Sequence, residues 1–314
     1  MSYLTTNGPA ADAAARLGWG LIALSSAVIV IIFGLLLSAL FRRRPIPPGD
    51  VETLGAIGRK GTGLSFIYVG TGFSTLMLFV FVVWSLQALG TVAGPPESPG
   101  LTVQVTGHQY WWEVRYIGAG GRGFLTANEI HIPVGTPVRV ELSSADVIHS
   151  FWVPKLVGKM QMIPGQTNVT WMQADTAGDY RGECTQLCGL QHAHMAMVVI
   201  AEPAAAFTAW WNRQLMPPAS AGTQLAADGQ RIFQVRCASC HAVLGTDAGG
   251  LVGPNLSHLA GRQTLGADTI PNDPDHLAHW VNNAQDVKPG NAMPAIELEP
   301  SDQSAVVAYL ETLE

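Results

Sequence analysis

The sequence predicts a multidomain membrane protein built from a two-helix transmembrane hairpin, an all-β domain and a small all-α domain. Three observations carry that prediction. Two long uncharged apolar runs lie near the start, short alternating stretches broken by Gly and Pro fill the middle, and a helical pattern surrounds a Cys-x-x-Cys-His motif near the end. At 314 residues there is room for two soluble domains beside an anchor.

The first run, Leu17 to Phe41, holds about 25 residues without a charge, which at roughly 1.5 Å per residue exceeds a hydrocarbon core of about 30 Å. The second, Gly63 to Leu89, is rich in β-branched and aromatic residues such as Ile67, Val69, Phe79, Phe81 and Val83, and can also span. Residues 42–62 between them carry Arg42, Arg43, Arg44, Arg59 and Lys60, whereas the tail of residues 1–16 carries only Arg16. The positive-inside bias therefore puts that loop in the cytoplasm and both chain ends on the other side of the membrane. A cleaved signal peptide would have its positive charge before a shorter apolar core; here the arginines follow it.

The hairpin is expected over residues 17–90 and the all-β domain over 91–215. Within it, Val103 to Val105, Glu129 to Ile132, Val138 to Leu142 and Val169 to Trp171 read as short strands of a sandwich or barrel. The glycine-rich Gly118 to Gly123 follows no strand-to-helix junction, so it reads as a hairpin loop rather than a phosphate cradle. Residues 216–224, rich in Pro and small side chains, form a linker, and the all-α domain occupies 225–314. The net charge of -6 is mild, and no basic run marks a nucleic-acid partner.

All four cysteines fall in two close pairs, Cys184 with Cys188 and Cys237 with Cys240. Close pairs can be disulfides, zinc ligands, redox dithiols or heme anchors, so their neighbours decide. Around the first pair, Cys184, Cys188, His192 and Met195 place two thiols, an imidazole and a thioether within twelve positions. These are soft donors that select copper, and the carboxylates a hard cation would require are absent from these positions. Upstream, His149 stands where a strand should end in a loop, with Asp146 placed to orient it as an outer carboxylate or simply to sit in a solvated turn.

These segments resemble the dinuclear copper A centre of subunit II of the heme-copper oxidases, a cupredoxin fold. The resemblance implies that Cys184 and Cys188 bridge two copper ions, that His149 and His192 are the terminal imidazoles, that Met195 supplies the thioether, and that the Gln186 backbone carbonyl is the remaining weak ligand. It reads His194 as a surface or outer histidine. The stretch Gly107-His108-Gln109-Tyr110-Trp111-Trp112 resembles the family's aromatic segment, where electrons arrive, with Tyr110 where a tryptophan is common. Gln186 also departs from many relatives, whose glutamate there reaches a magnesium ion at the subunit I interface.

Cys237-Ala238-Ser239-Cys240-His241 is a c-type heme attachment signature, in which two thiols form thioethers with the heme and the histidine ligates iron. Gly229 and Phe233 precede it on a helical pattern, Gly253-Pro254-Asn255-Leu256 follows, and Asn291-Ala292-Met293-Pro294 lies about fifty residues downstream. That order resembles a class I cytochrome c, all-α, and implies that Met293 is the distal ligand. His and Met together would fill both axial positions and raise the reduction potential. His258, His276 and His279 fit neither ligand set and read as helix or surface residues, and Ser301 to Leu313 reads as a terminal helix over the heme.

The resemblance as a whole implies the electron-receiving subunit of a respiratory terminal oxidase in a bacterial inner membrane, its copper and heme domains periplasmic. Covalent heme c would pass electrons to copper A and on to subunit I, where oxygen reduction and proton translocation belong. Subunit III, a cytochrome c donor and membrane lipid are the other implied partners; a nitric oxide reductase with a copper A subunit would share the same module. From Ala219 onward eleven acids face four bases, a net of -7 that leaves +1 for the rest of the chain. A basic or neutral donor should therefore dock on the heme domain.

Overall fold

The computed structural model describes residues 4–42, 63–95 and 98–314. Arg43, Arg44, Arg59 and Lys60, on which the cytoplasmic assignment of the loop leans, lie outside the described residues. Helices α1 (Pro9–Phe41) and α2 (Gly63–Ala93) are long and apolar enough to cross a membrane. Side chains such as Val30, Phe41, Phe66 and Val69 are exposed along them, an arrangement stable only in an apolar surrounding. Helix α1 begins well before the uncharged run, because Pro9 suits a first turn and the alanines after it favour helix. The tail ahead of it is tied to the β domain: Asn7 N donates to the Lys155 carbonyl at 2.8 Å, and Asp175 N donates to the Asn7 carbonyl at 2.9 Å.

The all-β domain contains β1 (Leu101–His108), β2 (Trp111–Ile117), β3 (Gly123–Ala127), β4 (Glu129–Pro133), β5 (Val138–Ser144), β6 (His149–Val153), β7 (Val157–Met162), β8 (Asn168–Met172), β9 (Gly178–Cys184) and β10 (Ala196–Glu202). They form two five-stranded sheets, ordered β3-β2-β1-β5-β8 and β4-β10-β9-β6-β7. The alternation read in the sequence explains the sandwich. Leu101, Val103 and Val105 of β1 and Trp112, Val114 and Tyr116 of β2 point inward and share one apolar core with Ile130, Ile132, Phe151, Met197 and Val199 of the other sheet. Each such side chain, fully buried, contributes on the order of 1.5–3 kcal/mol. Gly118 to Gly123 makes the β2–β3 hairpin turn, as its composition indicates. Helix α3 (Ala204–Gln214) closes one side, its Trp210 stacked on His131 and packed edge-on against Tyr116 and Phe124.

The C-terminal domain comprises α4 (Gln224–Arg236), a small ribbon of β11 (Thr264–Leu265) and β12 (Ile270–Pro271), α5 (Pro274–Asn282), α6 (Ala284–Val287) and α7 (Pro300–Leu310). Thr223 caps α4 by accepting from Ala226 N at 3.1 Å. Helices α4 and α7 cross at Gly229, where a Cβ would lie 1.9 Å from the Ala305 carbonyl oxygen, so only glycine permits the approach. Phe233 and Tyr309 meet edge-on beside that crossing.

One sequence expectation needs revision here. His258 is buried and lies outside any helix; its ring nitrogens bond the Glu314 carbonyl at 2.6 Å and the Met216 carbonyl at 3.1 Å. The linker is consequently pinned to the domain it introduces. The β and heme domains share a polar interface. Glu129, 4% exposed, accepts from Gln263 N at 2.6 Å and Thr264 N at 3.3 Å. Arg181 pairs with Asp268, Ala196 N donates to the Ala267 carbonyl, and Gln191 Nε2 donates to the Pro289 carbonyl. His194 is exposed and bonded to Gln191, while His276 and His279 are exposed on α5.

Candidate metal and heme sites

The pairing of Phe151 in β6 with Cys184 in β9 brings the start of one strand beside the end of the other. His149, fully buried, then aims Nδ1 at Cys184 Sγ, 3.8 Å away. After Cys184 the chain turns back in a short loop. There the Gln186 carbonyl lies 3.2 Å from Cys184 Sγ, and Cys188 Sγ comes to 3.8 Å from Cys184 Sγ, 3.7 Å from His192 Nδ1 and 3.8 Å from Met195 Sδ. All six candidate ligands thus converge around one pair of sulfurs. The hydrogen bond between the thiols draws Cys184 below the usual thiol range and pushes Cys188 above it.

The donor set fits copper. Two metal–thiolate bonds of about 2.3 Å span at most about 4.6 Å, so sulfurs 3.8 Å apart can both reach a shared ion. His149 stands at one end of the sulfur pair, and His192 with Met195 at the other. Asp146 accepts from His149 Nε2 at 2.7 Å, which leaves Nδ1 as the free donor; of its two sequence readings, the structure shows the orienting contact. Asp146 also accepts from Gln109 N and Val147 N, both at 2.6 Å.

Gly107 was legible only as the start of a motif, and the structure gives it a role. A Cβ there would lie 2.8 Å from His149 Cδ2, so the imidazole needs a glycine to lie against. Gly107→Ala is expected to displace His149 and lower copper loading several-fold, while the overpacked core loses about 1–3 kcal/mol. Copper analysis of the folded variant checks this, and full loading would contradict it.

Cys237, Cys240, His241 and Met293 all face one cavity of about 380 Å³. Phe233, Leu256, Leu277, Trp280, Val306 and Leu310 make its walls apolar, which suits a large flat hydrophobic ring. The Pro254 carbonyl accepts from His241 Nδ1 at 2.8 Å and fixes the tautomer that leaves Nε2 for a metal. A Cβ on Gly253 would lie 2.6 Å from His241 Cε1, so the loop can brace the ring only with glycine there. Burial holds His241 below its ordinary range, favouring the neutral form a metal requires, and pushes the Cys237 thiol up to about 11. The residues present therefore fit heme c.

A family model described as the periplasmic domain of cytochrome c oxidase subunit II matches residues 119–202, and a cytochrome c model matches 226–314. The cytochrome c oxidase subunit 2 of Alkalihalophilus pseudofirmus is 34% identical over 298 residues, covering 93% of this chain and 83% of that protein. The chain belongs to the cytochrome c oxidase subunit II family. The subunit 2 of Bacillus sp. strain PS3 is 31% identical over 225 residues, 68% of this chain and 62% of that one. Among solved structures, the periplasmic domain of subunit II of Bradyrhizobium japonicum cytochrome oxidase is 31% identical, with 38% of this chain and 95% of that chain covered and a TM-score of 0.36. As a subunit II with a cytochrome c domain, the chain is part of a heme-copper oxidase complex, and its two matched domains imply copper and heme c.

Three contacts that sequence reasoning did not reach connect the sites of this subunit II. Gln109, Tyr110 and Trp111 line the heme cavity. Gln109 Nε2 also donates to the Cys188 carbonyl at 2.5 Å, and Tyr110 Oη accepts from Leu190 N at 3.0 Å, within the loop between Cys188 and His192. Lys288, 2% exposed, donates to the Tyr110 carbonyl at 2.8 Å and the Gly266 carbonyl at 2.5 Å. Burial pulls its pKa down to about 7. Lys288 stands beside Pro289 and Gly290, a context that reads as a solvated turn, so no sequence signal marks it as interior.

Proposed function

We propose that this chain receives electrons at a covalently attached heme c and passes them to a dinuclear copper A centre, from which they reach the oxygen-reducing site of subunit I. In this reading Cys237 and Cys240 would anchor the heme, and His241 and Met293 would hold its iron. Cys184 and Cys188 would be shared by the copper pair, and His149, His192, Met195 and the Gln186 carbonyl would complete its hold. The bound groups supply one-electron chemistry at two neighbouring centres. The observation that carries the reading is the shared wall: Gln109 to Trp111 lines the heme cavity and is hydrogen-bonded to the copper loop.

The chain's own residues do the holding. Asp146 and the Pro254 carbonyl each fix one histidine by its far nitrogen, and buried aliphatic and aromatic groups exclude water, so little rearranges when an electron arrives. Attachment of the tail to the β domain supports a two-span topology, since two crossings return the chain to the side it left. We place both soluble domains on the periplasmic side of a bacterial inner membrane, with subunits I and III as partners.

A basic cytochrome c is the donor this surface suits. Of the four bases in the heme domain, Arg262 and Lys288 are turned inward to carbonyls, which leaves Arg231 and Arg236 among many exposed acids. Raising ionic strength from 0.01 to 0.15 M shortens the Debye length from about 30 to about 8 Å. Heme reduction by a basic cytochrome c should then slow by about ten-fold, while the internal heme-to-copper step changes little. Stopped-flow kinetics across that range tests the assignment, and a heme reduction rate indifferent to salt would contradict it.

A further inference from the structure

Lys288 has no place in either ligand set, yet it is the one lysine in the heme domain and is almost completely enclosed. Enclosing an ammonium is costly unless its protons are taken up by good acceptors. Its two acceptors come from different domains: Tyr110 belongs to the copper domain and Gly266 to the turn between β11 and β12. The lysine itself ends α6 and starts the loop that leads to Met293. One side chain therefore joins the methionine loop, the ribbon turn and the aromatic segment of the copper domain.

What Lys288 holds is itself held on the other side. The Tyr110 ring lies on Gly189, where a Cβ would come 2.5 Å from Tyr110 Oη, and that hydroxyl accepts from Leu190 N. Gln109, next in the chain, grips the Cys188 carbonyl. Gly290 packs against Leu190 from the heme-domain side, a Cβ there lying 3.2 Å from Leu190 Cδ2. The Lys288 to Tyr110 contact is thus the inner pin of a seam along which the copper loop rests on the heme cavity.

We propose that Lys288 is a positioning residue for electron transfer from the heme domain to the copper loop, setting the separation of the two centres by clamping the Tyr110 carbonyl to the Gly266 carbonyl. The inference rests on the assignment of heme and copper to the two sites. The step concerned is a one-electron transfer in which ferrous heme is oxidised and the copper pair reduced, with no bond formed or broken and no proton moved. Electron tunnelling falls exponentially with separation, so loosening this pin should slow the internal step and leave delivery to the heme untouched.

The test uses the intact oxidase with Lys288→Met, Lys288→Gln and Lys288→Arg. Heme and copper content, the copper paramagnetic spectrum and both midpoint potentials are recorded first, then the rate of heme-to-copper transfer after rapid photoreduction of the heme. Lys288→Met is expected to lower that rate at least ten-fold with content and potentials unchanged, and Lys288→Arg, which restores a cationic donor, to recover most of it. Lys288→Gln keeps an amide donor on a shorter stem and leaves the rate readable if the methionine variant does not assemble; a several-fold loss is expected. A rate within two-fold of wild type in Met or Gln, or equal losses in Met and Arg, would overturn the proposal. Absence of copper or heme from the wild-type complex would instead overturn the assignment beneath it.

Discussion

Cys188→Ser is expected to abolish the copper pair as a coupled unit. Cys188 Sγ is the hub of the cluster, within 3.8 Å of Cys184 Sγ, His192 Nδ1 and Met195 Sδ. A serine oxygen is harder than a thiolate and stays protonated at neutral pH, so neither end of the cluster keeps its bridge. Cys184 and His149 can still hold a single ion at their end. Copper content should fall by about half or more, and the hyperfine pattern of an electron shared equally by two copper nuclei should vanish altogether. Cys184→Ser should do the same, because its sulfur lies against His149 Nδ1 and the Gln186 carbonyl. Paramagnetic resonance on the purified complex reads the outcome, and a shared-electron pattern retained at full copper content would contradict the bridging role.

Met293→Ala should open the distal side of the heme. The loop that presents the methionine is fixed by groups other than the thioether: Asn291 Oδ1 accepts from Met293 N at 2.7 Å, and Gln285 Nε2 donates to the Met293 and Asn291 carbonyls at 2.6 and 2.9 Å. Truncating the side chain would therefore remove the proposed ligand while the loop stays in place. A thioether favours ferrous iron and raises the potential, so the variant should have a markedly lower midpoint potential and should bind carbon monoxide when reduced. Refusal of carbon monoxide together with an unchanged potential would exclude Met293 as the ligand.

What could be read in the sequence was what is local in it. Cys184, Cys188, His192 and Met195 sit on one short loop, and Cys237, Cys240 and His241 on one turn, so spacing alone brings them together. His149 comes from a different strand and joins Cys184 through the β6–β9 pairing; the family resemblance, not the spacing, pointed to it. The strands were legible because Val103, Val105 and their neighbours alternate, and the spans because charge is missing from them. Helix α1 extends ahead of the uncharged run because absence of charge marks a membrane core, whereas alanine propensity decides how far the helix runs beyond it.

The interface between the two soluble domains was not legible at all. Glu129 and Lys288 are charged residues, which by composition belong on a solvated surface, and each is buried where the two domains meet. His258 follows the same rule, enclosed by the returning C-terminus and the linker. Burial of this kind has no period in the sequence, since it depends on how folded domains dock.

Within this chain, electrons are expected to pass through heme before they reach copper. Anaerobic stopped-flow of the intact complex against a reduced basic cytochrome c, following the heme band and the near-infrared band of the copper pair together, reads that order. Heme should be reduced first and then lose its electron in the same phase in which the copper band bleaches, and a Cys237→Ala, Cys240→Ala chain lacking heme should show copper reduction slowed at least ten-fold. Copper that bleaches ahead of the heme, and at the same rate in the chain without heme, would show that electrons enter at copper instead.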